Sequence, residues 1–222
     1  LEGGIRLSSL FSFGPRTVLL YDPEVARGAS SVVDTLTYSR GELYRTWGGP
    51  EYRLSVNFMT GVNSSIKLNY NRTRQYIHLL SNSASISPTD NWKLSDYYLK
   101  PQSGDQYAMG FYQLLFNGRL ETSVEFYYKR LKNLIDFKGG TRIIMNENVE
   151  QDLVNTEGRA YGVELMVRKE SGRLRWTAGY TYSRSLLRST GKFSSEIIND
   201  GKWFPANFDR PHDLALTLNY LS

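Results

Sequence analysis

His212 stands between Asp209 and Asp213, and imidazole with two carboxylates at that spacing could hold a divalent cation. A metal site, however, needs three or four ligands with partners behind them. The only other histidine, His78, is remote in sequence, and there is no cysteine to supply a thiolate. Asp209-Arg210-Pro211-His212 is instead expected to fix the entry of a strand through local hydrogen bonds and the rigid proline. Ser189-Thr190-Gly191-Lys192 ends like a phosphate loop, but Leu186 occupies the position where that motif requires glycine. Glu121 and Glu125 would share one face of a strand and could form an acid–base pair. The simpler reading is two solvated carboxylates, with Arg119 as a partner. Glu147, Glu150 and Asp152 form an acidic run without the pattern of a calcium loop. No catalytic residue, metal or cofactor is assigned from these groups, and the protein is not expected to be an enzyme.

A second set of residues suits binding. Trp92, Tyr97 and Tyr98 lie in one polar stretch, and Trp203 and Phe204 in another. Aromatic side chains on loops can stack on a sugar ring or a flat aromatic ligand. The competing reading is that they pack one loop against the next.

The elements that carry these loops follow a rhythm of hairpins. Tyr107, Met109, Phe111, Gln113 and Leu115 alternate down one strand, and Leu120, Thr122, Val124, Phe126 and Tyr128 alternate up the next. Between them stands Asn117-Gly118, a pair that accepts the positive φ angles of a two-residue hairpin turn. That turn pairs Leu115 with Leu120, Phe111 with Val124, Met109 with Phe126 and Tyr107 with Tyr128. The apolar residues then share one face. The other carries Ala108, Gly110, Tyr112 and Leu114 opposite Glu125, Ser123 and Glu121. An apolar outside, a polar inside and about ten residues per crossing describe the wall of a membrane β-barrel.

The same alternation recurs along the chain. Strands are expected near 3–13, 50–59, 64–72, 107–115, 120–128, 157–169, 173–183 and from 212. Leu68 and Tyr70 alternate with Lys67 and Asn69; Val163 and Leu165 alternate with Glu164 and Arg168. The stretches 14–49, 73–103, 130–156 and 184–211 are long and polar, and 17–21 and 35–45 are expected to prolong the flanking strands. Short turns fall at Thr60–Asn63, Asn117-Gly118 and Glu170–Gly172. Long connections therefore lie on one side and short ones on the other, as extracellular loops and periplasmic turns do in outer-membrane barrels. Tyr52, Tyr70, Tyr107, Tyr128, Tyr180, Tyr182 and Tyr220 sit toward strand ends, where amphipathic rings suit the headgroup region.

Composition narrows the classes. Sixteen tyrosines and nineteen glycines favour strands and turns. No apolar run approaches the roughly 20 residues of a membrane helix. The net charge is +5, but Arg53, Lys67, Arg119, Lys129, Arg168 and Arg175 are scattered along strands rather than clustered with aromatics. Nucleic acid is therefore not expected as a partner. Leu1-Glu2-Gly3-Gly4 is not a signal peptide.

Several stretches resemble the barrel of TonB-dependent outer-membrane receptors, particularly those of Bacteroidetes-type bacteria. They are Tyr97-Tyr98-Leu99-Lys100-Pro101-Gln102-Ser103-Gly104-Asp105-Gln106, Thr156-Glu157-Gly158-Arg159-Ala160-Tyr161-Gly162-Val163-Glu164-Leu165, Gly179-Tyr180-Thr181-Tyr182-Ser183, and Phe204-Pro205-Ala206-Asn207-Phe208-Asp209-Arg210-Pro211-His212-Asp213. Their order and spacing carry the likeness over about 50–222. The resemblance implies an all-β fold: a segment of about eight antiparallel transmembrane strands from a barrel of about 22 that encloses a plug. Residues 1–222 would be an internal part of that one barrel domain, without the plug, the TonB-box region or the usual terminal aromatic. The implied location is the bacterial outer membrane. The implied partners are outer-membrane lipid, the remaining strands and plug, TonB acting through the plug, and a small-molecule or oligomeric nutrient such as a siderophore, vitamin, glycan or peptide. Two alternatives remain open from the residues themselves: a complete eight-stranded outer-membrane barrel, and a soluble secreted β-sandwich that binds carbohydrate. Charged residues on the polar faces count against the sandwich, whose inward faces should be apolar.

Overall fold

The computed structural model describes residues 1–80, 91–138 and 148–221. Its strands are β1 (Glu2–Phe13), β2 (Arg16–Tyr21), β3 (Val32–Tyr38), β4 (Leu43–Gly61), β5 (Ser64–Gln75), β6 (Ile77–Leu80), β7 (Asn91–Leu94), β8 (Gln102–Leu115), β9 (Leu120–Phe137), β10 (Leu153–Lys169), β11 (Leu174–Ser189), β12 (Phe204–Pro205) and β13 (His212–Tyr220). One nine-stranded sheet follows the order β1, β4, β5, β8, β9, β10, β11, and β11 then pairs with β12 near one end and β13 near the other. Every pairing is antiparallel. The eight long strands are the eight that alternation marks out in the sequence. β4, β9, β10 and β11 run further toward the long-loop side, because hydrogen bonding continues where the apolar alternation has stopped.

The hairpin at Asn117-Gly118 has the register that its turn chemistry dictates, with Leu115 opposite Leu120 and Tyr107 opposite Tyr128. Asn117 (φ 56°) and Gly118 (φ 80°) take left-handed backbone, and Arg119 N donates to Phe116 O at 3.3 Å.

The register aligns side chains into rows across the wall. One row is Phe58, Ile66, Phe111, Val124, Leu165, Tyr180 and Leu214. The row beside it on the opposite face is Asn57, Lys67, Gly110, Glu125, Glu164, Thr181 and Asp213. A single sheet thus has one apolar and one polar face. Leu165 is 41% exposed and Leu216 64% exposed, so the apolar face is not covered by protein. Among the described residues no second sheet packs on it; the two other sheets are the hairpins β2–β3 and β6–β7. A sandwich would bury this stripe, so that alternative is excluded. The sheet also does not close on itself, since β1 pairs with β4 and β13 with β11. That removes the complete eight-stranded barrel.

On the polar face, bulky rings fold over glycines. A Cβ on Gly162 would come within 2.9 Å of the Tyr127 ring and 2.6 Å of Tyr182 O. Charges pair across strands. Arg168 donates to Glu121 at 2.7 and 3.1 Å from the directly opposite position on β10. The partner of Glu121 is therefore Arg168, not Arg119, because cross-strand neighbours lie closer than residues along one strand. Arg6 and Ser8 both donate to Glu51, a buried carboxylate on β4.

The stretch 17–21 departs from the sequence expectation. Rather than prolonging β1, it pairs with β3 from Arg16↔Tyr38 to Tyr21↔Val32 as a separate hairpin. Residues 35–38 belong to that hairpin, while β4 starts at Leu43. The compact apolar core lies at this long-loop end, where Leu80, Leu99, Val149 and Leu153 bury one another beneath Tyr98, Ile135 and Phe137.

Candidate ligand site at the long-loop end

Asp96 organises the turn after β7. Its Oδ1 accepts the backbone N–H groups of Tyr98 (3.0 Å) and Leu99 (2.9 Å), and its Oδ2 lies 3.2 Å from Lys93 Nζ. The turn holds Tyr97 and Tyr98 edge to face, with centroids 5.1 Å apart. Tyr98 leans on Tyr21 of β2 at 5.4 Å and lies beneath the Arg27 guanidinium at 5.1 Å, and its hydroxyl donates to Leu19 O. Burial, with Tyr21 and Tyr97 nearby, pushes the Tyr98 phenol up to about 12. It is therefore a neutral donor at any physiological pH.

Tyr97 faces a different neighbour. Arg45 of β4 lies 4.2 Å from the Trp47 ring centre and 5.4 Å from that of Tyr97. The Trp47 indole N–H donates to Asp96 O at 2.9 Å. Arg45 Nε is buried without a hydrogen-bond partner. A guanidinium held between aromatic rings, with an unused donor, suits an acceptor-bearing planar group. Trp92 sits apart on β7, opposite Leu79, with its ring 62% exposed.

The other aromatic pair lies elsewhere. Phe204 pairs in β12 with Leu187 of β11. Trp203 stacks 4.3 Å from Arg159 and 4.9 Å from Arg188. Strand alternation puts both arginines on the face of Tyr161 and Tyr182, the apolar outer side of the wall. The structure thus joins Tyr97 to Tyr98, sets Trp92 on the neighbouring hairpin and places Phe204 on a separate short strand with Trp203 just before it.

The two histidines also divide. His78 is fully buried in β6, where the Gln102 amide lies 3.2 Å from Nδ1 and Ser95 Oγ 2.9 Å from Nε2. The amide nitrogen can only donate, so Nδ1 accepts and Nε2 carries the proton toward Ser95. Burial lowers the His78 pKa below its ordinary value. His212 stacks on Tyr180 and bonds its hydroxyl at 2.8 Å. Asp209 is engaged by Arg184 at 3.0 Å and Ser185 N at 2.6 Å, and Ser183 N donates to Pro211 O. The Asp209–Pro211 run therefore fixes the entry of β13 by clamping onto β11, a longer-range hold than the local bonds the sequence suggests. Glu150 is buried, with Tyr21 OH at 3.3 Å and Lys93 at 3.8 Å. Asp152 follows it just before β10, and Glu147 lies outside the described residues.

A family model for the TonB dependent receptor-like β-barrel matches residues 33–222. The chain belongs to that family. Among solved structures, the ferric-catecholate import receptor Fiu from E. coli K12, in its closed form, shares the fold with a TM-score of 0.56 at 15% identity. The match covers 98% of this chain and 29% of that one, so the chain spans under a third of that receptor's length. A comparison with curated proteins finds no match. TonB-dependent receptors are outer-membrane transport receptors rather than enzymes, and the uncovered apolar face and loop sorting of this barrel segment accord with that.

In this TonB-dependent barrel segment the outward end is built by residues that sequence reasoning did not single out. Tyr21, Arg27, Arg45 and Trp47 complete the cluster around Tyr97 and Tyr98. The signal that could have found them is weak: aromatic and basic residues of one long stretch, 14–49, facing those of the next.

Proposed function

We propose that residues 1–222 are part of one barrel domain of a nutrient receptor in the bacterial outer membrane, completed by further strands and a plug. The apolar face meets lipid, the polar face lines the plugged lumen, and the long loops catch the nutrient outside the cell. Release into the periplasm would draw on TonB acting through the plug. The family membership and the two-faced sheet support this reading.

The ligand would meet Trp92 and Tyr97 first, with Arg45 supplying charge. Tyr98 would act mainly by holding the cluster together, given its packing on Tyr21 and Arg27. The observation that carries this is Arg45, buried at Nε without a partner and flanked by Trp47 and Tyr97. It favours a nutrient with a flat ring and an acidic or acceptor edge, such as an aromatic siderophore, over a neutral glycan. The neighbour's ferric-catecholate ligand is of that kind.

The test is uptake by cells that depend on the receptor. Arg45→Gln and Trp92→Ala should each weaken binding of iron-loaded catecholates about tenfold or more, as loss of a charge-assisted hydrogen bond or a stacked ring does. Heat-modifiable mobility should stay normal. Unchanged binding by both variants would refute the site.

A further inference from the structure

The register places a second row of side chains just beyond the tyrosines. Tyr70, Tyr107, Tyr128 and Tyr161 lie side by side on the outer face, with Tyr70 and Tyr107 rings 5.0 Å apart. One alternation step toward the long loops stand Arg72, Asp105, Arg130 and Arg159, also side by side. Arg72 takes both oxygens of Asp105, at 2.8 and 3.0 Å. Arg130 and Arg159 remain directly opposite each other, and among the described residues no acid bonds either one. The nearby Arg184 and Arg188 are already paired, with Asp209 and Glu157.

Two like charges directly opposite on adjacent strands destabilise a sheet. Arg159 also has a buried Nε without a hydrogen-bond partner, and its guanidinium carbon lies 4.3 Å from the Trp203 ring centre. Two forks of N–H donors with surplus positive charge match the oxygens of a phosphate. The position decides the source of that phosphate. The pair faces away from the lumen, on the side of Val163 and Leu165, just past an aromatic belt that marks the headgroup level.

We propose that Arg130 and Arg159, backed by Trp203, bind the phosphate of a lipid headgroup in the outward leaflet. The proposal rests on the membrane-wall reading and deepens it. The bound lipid would offset the like-charge pair and fasten β9 to β10 at the membrane surface.

The experiment uses the full receptor, purified in detergent, with thermal unfolding as the readout. Dioleoylphosphatidic acid should raise the midpoint in a saturable way. Dioleoylglycerol, with the same chains and no phosphate, and inorganic phosphate alone should not. The double variant R130Q/R159Q should bind phosphatidic acid about tenfold or more weakly, as lost charge-assisted hydrogen bonds imply. Should the double variant misfold, the single variants R130Q and R159Q give the same reading. Each should gain less from phosphatidic acid than wild type, whatever its midpoint without lipid. Equal stabilisation by inorganic phosphate would show a soluble-anion site and overturn the lipid assignment. Undiminished binding of phosphatidic acid by the variants would overturn the arginine pair itself. Failure of the underlying membrane reading would look different: the wild-type receptor would fold without detergent.

Discussion

Leu165→Arg tests which face of the wall meets lipid. Leu165 lies between Val124 and Tyr180 in a row of apolar side chains that continues through Phe111 and Leu214. Toward the long loops the next row is Val163, Phe126, Met109 and Leu68, and Leu165 stands midway along its strand between Tyr161 and Lys169, which puts it near the middle of the crossing. An arginine near the bilayer midplane costs about 2–4 kcal/mol. Against the 5–15 kcal/mol typical of folded domains, that loss should clearly lower the urea midpoint and the yield of assembled barrel, while the protein that does assemble stays mostly folded. Glu164→Arg is the matched control, one residue away on the opposite face. Glu164 stands directly across from Glu125, an unfavourable like-charge pairing. Arginine there would turn repulsion into attraction, so this variant should assemble as well as wild type or slightly better. Both substitutions introduce the same side chain on the same strand, one residue apart. The assay is heat-modifiable gel mobility of the receptor in outer-membrane fractions, with urea midpoints for the folded species. Equal damage from the two variants, or greater damage from Glu164→Arg, would refute the face assignment.

Two further outcomes follow from the loop geometry. Cysteine at Trp92 or Gly191 should react with an impermeant maleimide on intact cells, whereas cysteine at Asn117 or Gly172, in the short turns, should react only after the outer membrane is opened; the reverse pattern would invert the barrel. The β6–β7 hairpin should loosen in acid, because burial lowers the His78 pKa in the folded state and the unfolded chain binds the proton more readily. Its contribution is complete above the ordinary imidazole value of about 6.5 and declines as pH falls below it. Protection factors at Ile77–Leu80, that is exchange rates divided by the intrinsic rate at each pH, should therefore fall between neutral pH and pH 5 more than in His78→Gln, and identical pH dependence in both would exclude His78 as the cause.

The wall was legible in the sequence because its signal is local and periodic. Leu68 alternating with Lys67, and Asn117-Gly118 between two such strands, set both the faces and the register without any long-range information. The β2–β3 hairpin was not legible as such, since Arg16–Tyr21 and Val32–Tyr38 alternate weakly and sit within a long polar stretch. The ion pair of Arg168 with Glu121 joins residues 47 apart in sequence, visible only once β9 and β10 are in register. The candidate site was half legible for the same reason. Trp92, Tyr97 and Tyr98 stand out as aromatics in a polar loop. Arg45, which gives the cluster its charge, is recruited from another strand by the fold. Trp203 looked like another loop aromatic until the register placed Arg159 and Arg188 beside it on the outer face.

The central claim is that one face of a single sheet meets lipid while the other lines an aqueous lumen. A spin-label scan of Val163 to Arg168 in the reconstituted receptor tests it most directly. Labels at 163, 165 and 167 should collide preferentially with oxygen dissolved in the bilayer, and labels at 164, 166 and 168 with a water-soluble nickel chelate. That period-two exchange should match the outward rows of Val163 and Leu165 and the inward row of Glu164. Uniform protection from both reagents would mean a buried strand, and would contradict the membrane wall outright.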